Sequence, residues 1–244
     1  MRILVANPNT SADMTDRLVK VGSAAASPGT ELRGVTAERG VPFISSRPEA
    51  LLAGAELLTM IATHEYDADA VIVAAFGDPG VTAARDLFQL PVIGMSEAAI
   101  HTACMLGDRF AIVTFSPSFE RWYEDCVSMT GLGGRSAGIY TPDVPFSSVA
   151  NVQDEMSGAL IDTANDAIEK TKADVIILAG APLAGLAPKV SDRIGRPVVD
   201  PISAAVCQAE GIVRLGGRAL AGPKLPPKSS IDLPATLRAA IAGE

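Results

Sequence analysis

The chain has few residues of the kinds that most often carry catalytic or metal chemistry. It contains 3 Cys, 2 His and 1 Trp in 244 residues, and aromatic residues make up 5% of it. The three cysteines, Cys104, Cys126 and Cys207, show no CxxC spacing, and His64 and His101 lie far apart. An odd number of scattered thiols predicts no disulfide framework, and two isolated imidazoles predict no zinc site. We therefore interpret the cysteines as reduced thiols in packed helices and expect no metal.

Dense basic clusters and long apolar runs are also missing. The net charge is −8, and Lys and Arg are spread along the chain, which argues against nucleic acids and anionic membranes as partners. No apolar run approaches the roughly 20 residues of a membrane-spanning helix. The first ten residues, MRILVANPNT, do not have the pattern of a signal peptide. These features predict a cytoplasmic protein whose partner is a small molecule.

Short apolar runs alternate with helical patterns along the whole chain. The predicted strands cover residues 3–7, 70–75, 91–95, 110–115, 175–179 and 197–200. The predicted helices cover residues 11–21, 47–64, a stretch starting near Gly80, 96–106, 118–129, 152–172, 187–194, 202–215 and 234–242. Continuous apolar strands that alternate with helices are typical of an α/β fold with parallel sheets flanked by helices. The segment 222–230 (GPKLPPKSS) is predicted to be a loop.

Three strand-to-turn segments occur twice, in the same order. ADAVIVAAFGDPG matches ADVIILAGAPLAG at an offset of 105, LPVIGMSEAAIHTA matches RPVVDPISAAVCQA at 106, and RILVANPN matches FAIVTFSP at 108. This repetition predicts two similar α/β lobes related by a pseudo-twofold axis. The predicted first lobe is 1–97 plus about 210–244, and the second is 98–209. Since open α/β sheets bind ligands at the carboxyl ends of their strands, we expect an active-site crevice between the lobes.

The segment NPNT follows the first predicted strand and precedes a helix. Asn7, Asn9 and Thr10 offer amide and hydroxyl groups beside the positive end of that helix, which suits a carboxylate or ureide oxygen. The alternative is that Asn9 or Thr10 caps the helix.

The segment FGDPG follows the strand at 70–75. Gly77 and Gly80 permit a tight turn, and we favour Asp78 as a helix cap over Asp78 as an acid or base. The backbone N–H groups of Phe76 and Gly77 are candidate donors to an oxyanion.

Three further side chains are candidate acids or bases. Glu97 and His101 are four residues apart on one helix and share a face, although Glu97 also suits the helix dipole. Tyr123, on the helix at 118–129, is a weaker candidate acid. Thr114 is the counterpart of the NPNT region in the second repeat and is a predicted ligand contact.

Together, six segments resemble the aspartate/glutamate/hydantoin racemase superfamily, nearest its hydantoin and allantoin racemase branch. They are NPNTS, AFGDPG, PVIGMSEAA, FAIVT, DVIILAG and PVVDPISAAV, in this order over almost the whole chain. The resemblance implies proton transfer at a carbon next to a carbonyl, without a cofactor, by two cysteines on opposite faces of the substrate. It also implies homo-oligomers and a substrate-side loop containing Phe43 and Ser45, although Ser45 and Ser46 alternatively cap the helix that follows.

Both family cysteines are missing from this chain. The matching positions are Ala75 and Gly180, the latter followed by Ala181, and neither side chain carries a proton. Cys104 and Cys207 lie within predicted helices and are poor replacements for thiols at strand ends.

Three hypotheses remain open. The favoured one is an enzyme that acts on a small carboxylate, cyclic amide or ureide by oxyanion stabilisation, as a lyase, a hydrolase or a one-base isomerase. The second is a hydantoin- or allantoin-type racemase inactivated or engineered at Ala75. The third is a non-catalytic protein that binds a small molecule.

Overall fold

The computed structural model describes residues 1–217 and 228–243. The chain divides into two compact units. Unit 1 comprises Met1–Ala74, Asp78–Gly94 and Val206–Glu244, and unit 2 comprises Ala75–Gly77 and Met95–Ala205. The predicted loop at 222–230 lies mostly outside the described residues.

Eight strands and nine α-helices are present in the described part of the chain. The strands are β1 (Arg2–Asn7), β2 (Glu31–Thr36), β3 (Ala70–Val73), β4 (Val92–Gly94), β5 (Phe110–Val113), β6 (Ser136–Tyr140), β7 (Val175–Leu178) and β8 (Val198–Val199). The helices are α1 (Ala12–Ala25), α2 (Arg47–His64), α3 (Val81–Leu87), α4 (Met95–Leu106), α5 (Glu120–Met129), α6 (Val152–Thr171), α7 (Ala187–Val190), α8 (Pro201–Arg214) and α9 (Ala235–Ala242). No helix in residues 1–217 or 228–243 is long and apolar enough to cross a membrane.

Each unit contains one four-stranded parallel sheet, and the two sheets have the same order. The order is β2-β1-β3-β4 in unit 1 and β6-β5-β7-β8 in unit 2. Every residue of β3, β5 and β7 is buried, as expected for central strands covered on both faces. The predicted α/β fold with parallel sheets flanked by helices is therefore confirmed.

The same contact closes the start of the central strands in both units. The Asp69 carboxylate accepts a hydrogen bond from the N–H of Arg2 at 2.7 Å in unit 1. In unit 2 the Asp174 carboxylate accepts from the N–H groups of Asp108 and Arg109, both at 3.0 Å. Asp69 and Asp174 occupy matching positions in the predicted sequence repeat, and each accepts a hydrogen bond from backbone at the start of a neighbouring strand. The pseudo-twofold axis, the shared crevice and the predicted lobe boundaries stay predictions.

Two strands, β2 and β6, are absent from the sequence prediction. They are the outermost strands on one side of each sheet, and every residue in them is at least partly exposed. Several predicted helices also differ at their ends: α1 runs on to Ala25, α5 begins at Glu120 after a short 3-10 turn, and α7 ends at Val190.

The carboxyl-terminal part of α8 is tied to unit 1 by Glu210. This carboxylate is 3% exposed and accepts hydrogen bonds from the N–H and Oγ of Ser27 at 2.8 and 2.6 Å and from Thr30 Oγ1 at 2.5 Å. Arg214 lies 3.2 Å away. Burial raises the pKa of Glu210, but the bonds from Ser27 and Thr30 outweigh it and hold that pKa below its ordinary value of 4.5.

Candidate active site

Asn7, the last residue of β1, is the centre of a buried hydrogen-bond network in unit 1. Its Nδ2 donates to Asn9 Oδ1 at 3.0 Å, to the Ser11 carbonyl at 3.1 Å and to Thr15 Oγ1 at 3.0 Å. Its Oδ1 accepts from the Asn9 N–H at 3.3 Å. The Asn7 side chain is wholly buried and its hydrogen-bonding groups are occupied.

The residue that caps α1 is Ser11, whose hydroxyl accepts from the N–H of Met14 at 3.3 Å. The alternative prediction that Asn9 or Thr10 caps this helix is therefore wrong. Asn9 Oδ1 instead accepts from the N–H of Ser11 at 2.9 Å, and the Thr10 N–H donates to the Val41 carbonyl at 3.0 Å. The loop is thus held in place by hydrogen bonds within itself and to the Val41 carbonyl.

The Ser45–Ser46 segment caps α2, as the alternative prediction for these serines states. Ser46 Oγ accepts from the N–H of Glu49 at 3.4 Å. The Glu49 carboxylate in turn accepts from the N–H and Oγ of Ser45 at 2.6 and 2.9 Å. Hydrogen bonding by the Ser45 N–H is the main cause that lowers the pKa of Glu49. Phe43 lies half-buried two residues before Ser45.

Asp78 has a conformation that sequence reasoning did not predict. The residue that caps α3 is Gly80, without a side-chain cap, so the favoured prediction of Asp78 as the helix cap is wrong. Asp78 has a φ of +46°, the left-handed region that Asp tolerates better than most residues. Its carboxylate lies against β4, because a Cβ added to Gly94 would stand 2.3 Å from Asp78 Oδ2.

The end of β7 in unit 2 holds Gly180 in a backbone conformation that an L-residue rarely adopts. Its φ is +115°, and a Cβ added there would lie 2.9 Å from the Phe115 ring and 3.7 Å from Tyr123 Oη. A cysteine at position 180 is therefore disfavoured by two features, the positive φ of the backbone and the close Phe115 ring. Ala181 follows as the buried first residue of a 3-10 turn.

Aromatic rings surround this position. Tyr123 lies between Phe76, with ring centroids 4.6 Å apart, and Phe119, stacked at 5.3 Å. Phe115 contacts Phe119 edge to face at 5.2 Å. Phe115 and Phe119 were missed as site residues by the sequence reasoning, although four aromatic residues at positions 115–123 stand out in a chain so poor in them.

Tyr123 is 2% exposed, and burial is the main cause that raises its pKa far above the usual range of a phenol. The Cys126 thiol adds to the rise and the Thr114 hydroxyl opposes it. The side chain therefore stays protonated near neutral pH and is a hydrogen-bond donor, not a base.

Thr114, which follows β5, is also buried. Its N–H donates to the Tyr140 carbonyl at 3.0 Å, but its Oγ1 has no hydrogen-bond partner of standard geometry among the described residues. In the described ranges, Ser230 Oγ is the other buried side-chain atom without a hydrogen-bond partner.

Glu97 and His101 both lie half-buried on α4, four residues apart as predicted. No group of three or more metal-binding side chains gathers in the part of the chain that the structure describes.

The three cysteines stay away from the strand ends. Cys104 is half-buried on α4, where burial raises the pKa of its thiol. Cys126 is buried on α5 and donates to the Trp122 carbonyl at 3.2 Å, and Cys207 is exposed on α8. None of the three cysteines therefore stands at position 75 or 180, the ends of the segments that follow β3 and β7.

Two parallel sheets of identical strand order, with polar and glycine-rich turns at their carboxyl ends, define an α/β protein with a candidate site for a small molecule. The chain belongs to the Asp/Glu/hydantoin racemase family, whose model matches residues 3–209.

Among proteins of known sequence, a hydantoin racemase from Paenarthrobacter aurescens is 33% identical over 218 residues, which covers 88% of this chain and 92% of the relative. Among solved structures, allantoin racemase from Klebsiella pneumoniae has a TM-score of 0.87 at 33% identity, covering 94% of this chain and 96% of the other. Allantoin racemase from Pseudomonas fluorescens has a TM-score of 0.88 at 34% identity, covering 95% and 100%.

Proposed function

We propose that the chain is a cofactor-independent enzyme that acts on a small carboxylate, cyclic amide or ureide by stabilising an oxyanion, as a lyase, a hydrolase or a one-base isomerase. The hydantoin and allantoin racemases among its relatives support this substrate class. The observation that carries the proposal is Gly180, which has no side chain and whose positive φ and close Phe115 ring disfavour a thiol there. With alanine at position 75 and glycine at position 180, this proposal assigns catalysis to groups other than two opposed thiols.

Uncharged donors remain where the thiols are missing. No hydrogen bond among the described residues uses the backbone N–H groups of Phe76 or Gly77, which follow Ala75. Donors held in place before the reaction stabilise developing negative charge strongly in a site that excludes water. Glu97 and His101 are the candidate general acid and base, and Asn7, Asn9, Thr10 and Ser45 act in this proposal by shaping the surrounding loops.

The second candidate is a racemase disabled at Ala75, which the 33% identity to a hydantoin racemase favours. Under this hypothesis, only the substitution at position 75 restores a thiol without a change in the backbone. Restoring a thiol at 180 requires the backbone to leave its positive φ and the Phe115 ring to move.

Proton NMR of the purified protein in D₂O tests these readings with hydantoins, allantoin, aspartate, glutamate, malonates and cyclic imides. We expect the unaltered chain to give new product signals, or deuterium at one α-carbon, with at least one of them. The Ala75→Cys, Gly180→Cys double variant is the matched comparison. Exchange by that variant alone would identify a disabled racemase, and binding without turnover by the unaltered chain would identify a non-catalytic binding protein.

A further inference from the structure

Thr114 retains a hydroxyl for which the described part of the fold supplies no hydrogen bond of standard geometry. It is 0% exposed, and its Oγ1 has no hydrogen-bond partner of standard geometry among the described residues. A buried polar atom without a partner costs stability, and native proteins keep few of them. Valine has nearly the same shape, so a hydroxyl at this position needs a reason other than packing.

The Tyr123 hydroxyl lies in the same part of unit 2. Its ring is fixed between Phe76 and Phe119, so the direction of Oη is set by packing. Oη stands 3.7 Å from the place where a side chain on Gly180 would begin. Thr114 follows β5, whose Val113 pairs with Leu178 of β7, so Thr114 lies beside the strand end that carries Gly180. Its hydroxyl also lowers the pKa of Tyr123, which agrees with this placement.

We propose that Tyr123 Oη, positioned by Thr114, donates a hydrogen bond to an oxygen of a small carboxylate, cyclic amide or ureide bound beside Gly180. This inference rests on the proposed function. It assigns the end of β7 a binding role: this strand end holds a substrate oxygen and moves no proton to carbon. Tyr123 contacts the ligand, and Thr114 is a positioning residue that acts through Tyr123.

Hydantoin and malonate are suitable probes, titrated into the full chain by calorimetry and by ligand-observed NMR. Tyr123→Phe removes Oη and keeps the ring, and we expect it to weaken binding about tenfold. Tyr140→Phe is the matched control, because the Tyr140 hydroxyl donates to the Ala137 carbonyl at 2.9 Å on β6. The control is expected to bind each probe as the unaltered chain does.

Thr114→Val supplies a readout that a structural hydroxyl would not give. We expect it to weaken binding about threefold while raising Tm by about 2 °C, because it removes a buried group that lacks a partner. The double variant is expected to bind like Tyr123→Phe alone, since Thr114 acts through Tyr123.

Two results would overturn the inference while leaving the proposed function standing: unchanged affinity in Tyr123→Phe, or a lowered Tm in Thr114→Val. Failure of the unaltered chain to bind either probe, together with silence in the D₂O experiment, would refute the proposed function and this inference with it.

Discussion

The ends of β1 and β5 occupy the same place in two sheets of identical order, yet they treat polar side chains in opposite ways. At the end of β1, Asn7 makes four hydrogen bonds to its own loop and helix. At the end of β5, Thr114 is just as deeply buried and its hydroxyl is unused. The first end is stabilised by its polar groups, and the second keeps one at a cost to stability. We propose that the first end is a scaffold and that the hydroxyl at the second end positions Tyr123, the donor to the ligand.

The largest effect is expected from Asn7→Ala, which removes the centre of the β1 network. We expect a loss of about 4 kcal/mol in the free energy of unfolding, because several buried groups lose their partner at once. Urea unfolding followed by circular dichroism measures it. Thr10→Ala is the control in the same loop, and it is expected to change stability by less than about 0.5 kcal/mol. A small loss in Asn7→Ala would mean that the two strand ends do not differ as described.

Gly180→Ala tests how firmly the β7 end is closed to a side chain. We expect it to lower the free energy of unfolding by about 3 kcal/mol, from the positive φ and from the contact with Phe115. Gly29→Ala separates the two causes, because Gly29 has a φ of +85° and open space around its missing Cβ. It is expected to cost about 1 kcal/mol. Equal losses in the two variants would show that the Phe115 ring moves aside freely.

Replacing threonine by valine at positions 15 and 114 compares the two strand ends most directly. Thr15 Oγ1 lies 2.6 Å from Thr36 Oγ1 and accepts from Asn7 Nδ2 at 3.0 Å. Thr15→Val should therefore cost about 2 kcal/mol, whereas Thr114→Val should cost nothing or stabilise. Thermal unfolding of both variants side by side measures the difference in sign. Destabilisation of both would contradict an unused hydroxyl at Thr114.

The smallest effect concerns Glu210, a buried carboxylate whose oxygens accept hydrogen bonds, so that it has partners as Asn7 does. Because its folded-state pKa is lowered, its contribution is present above the ordinary glutamate pKa and is lost as the pH falls through the lowered value. Glu210→Gln is expected to cost about 1 kcal/mol at about pH 7 and much less at about pH 3. Urea unfolding at both values checks it, and a difference that persists in acid would argue against the charged form as the stabilising one.

The sequence predicted the buried parts of the fold and missed the exposed ones. The six predicted strands are apolar runs in the sheets, whereas β2 carries Glu, Arg and Thr on a half-exposed edge. Gly34 within β2 weakened the strand pattern further, and its reason is tertiary, since an added Cβ would stand 2.6 Å from Thr15 Cγ2. A pattern of side chains along one segment cannot report such a contact between segments.

The loops of the candidate site could be predicted from the sequence, but the roles of the individual residues in them could not. The serine cap of α2 follows from a local motif, Ser46 with Glu49 three residues later. The left-handed Asp78 and the close approach of Phe115 to Gly180 depend on neighbours far away in the sequence. For this reason the sequence identified the positions without thiols but not the ring that fills the space at one of them.

Unit 1 is built from segments at both ends of the chain, which has a consequence for its synthesis on the ribosome. Its core, which includes Leu57 and Ile61 of α2, is completed by Ala240 of α9, and Thr63 bonds Thr236 at 3.1 Å. Glu210 closes the turn at Ser27 only after more than two hundred residues have been made. The ribosome therefore completes unit 2 before it makes the last segment of unit 1, so the first residues of the chain wait for their final contacts until the end of synthesis.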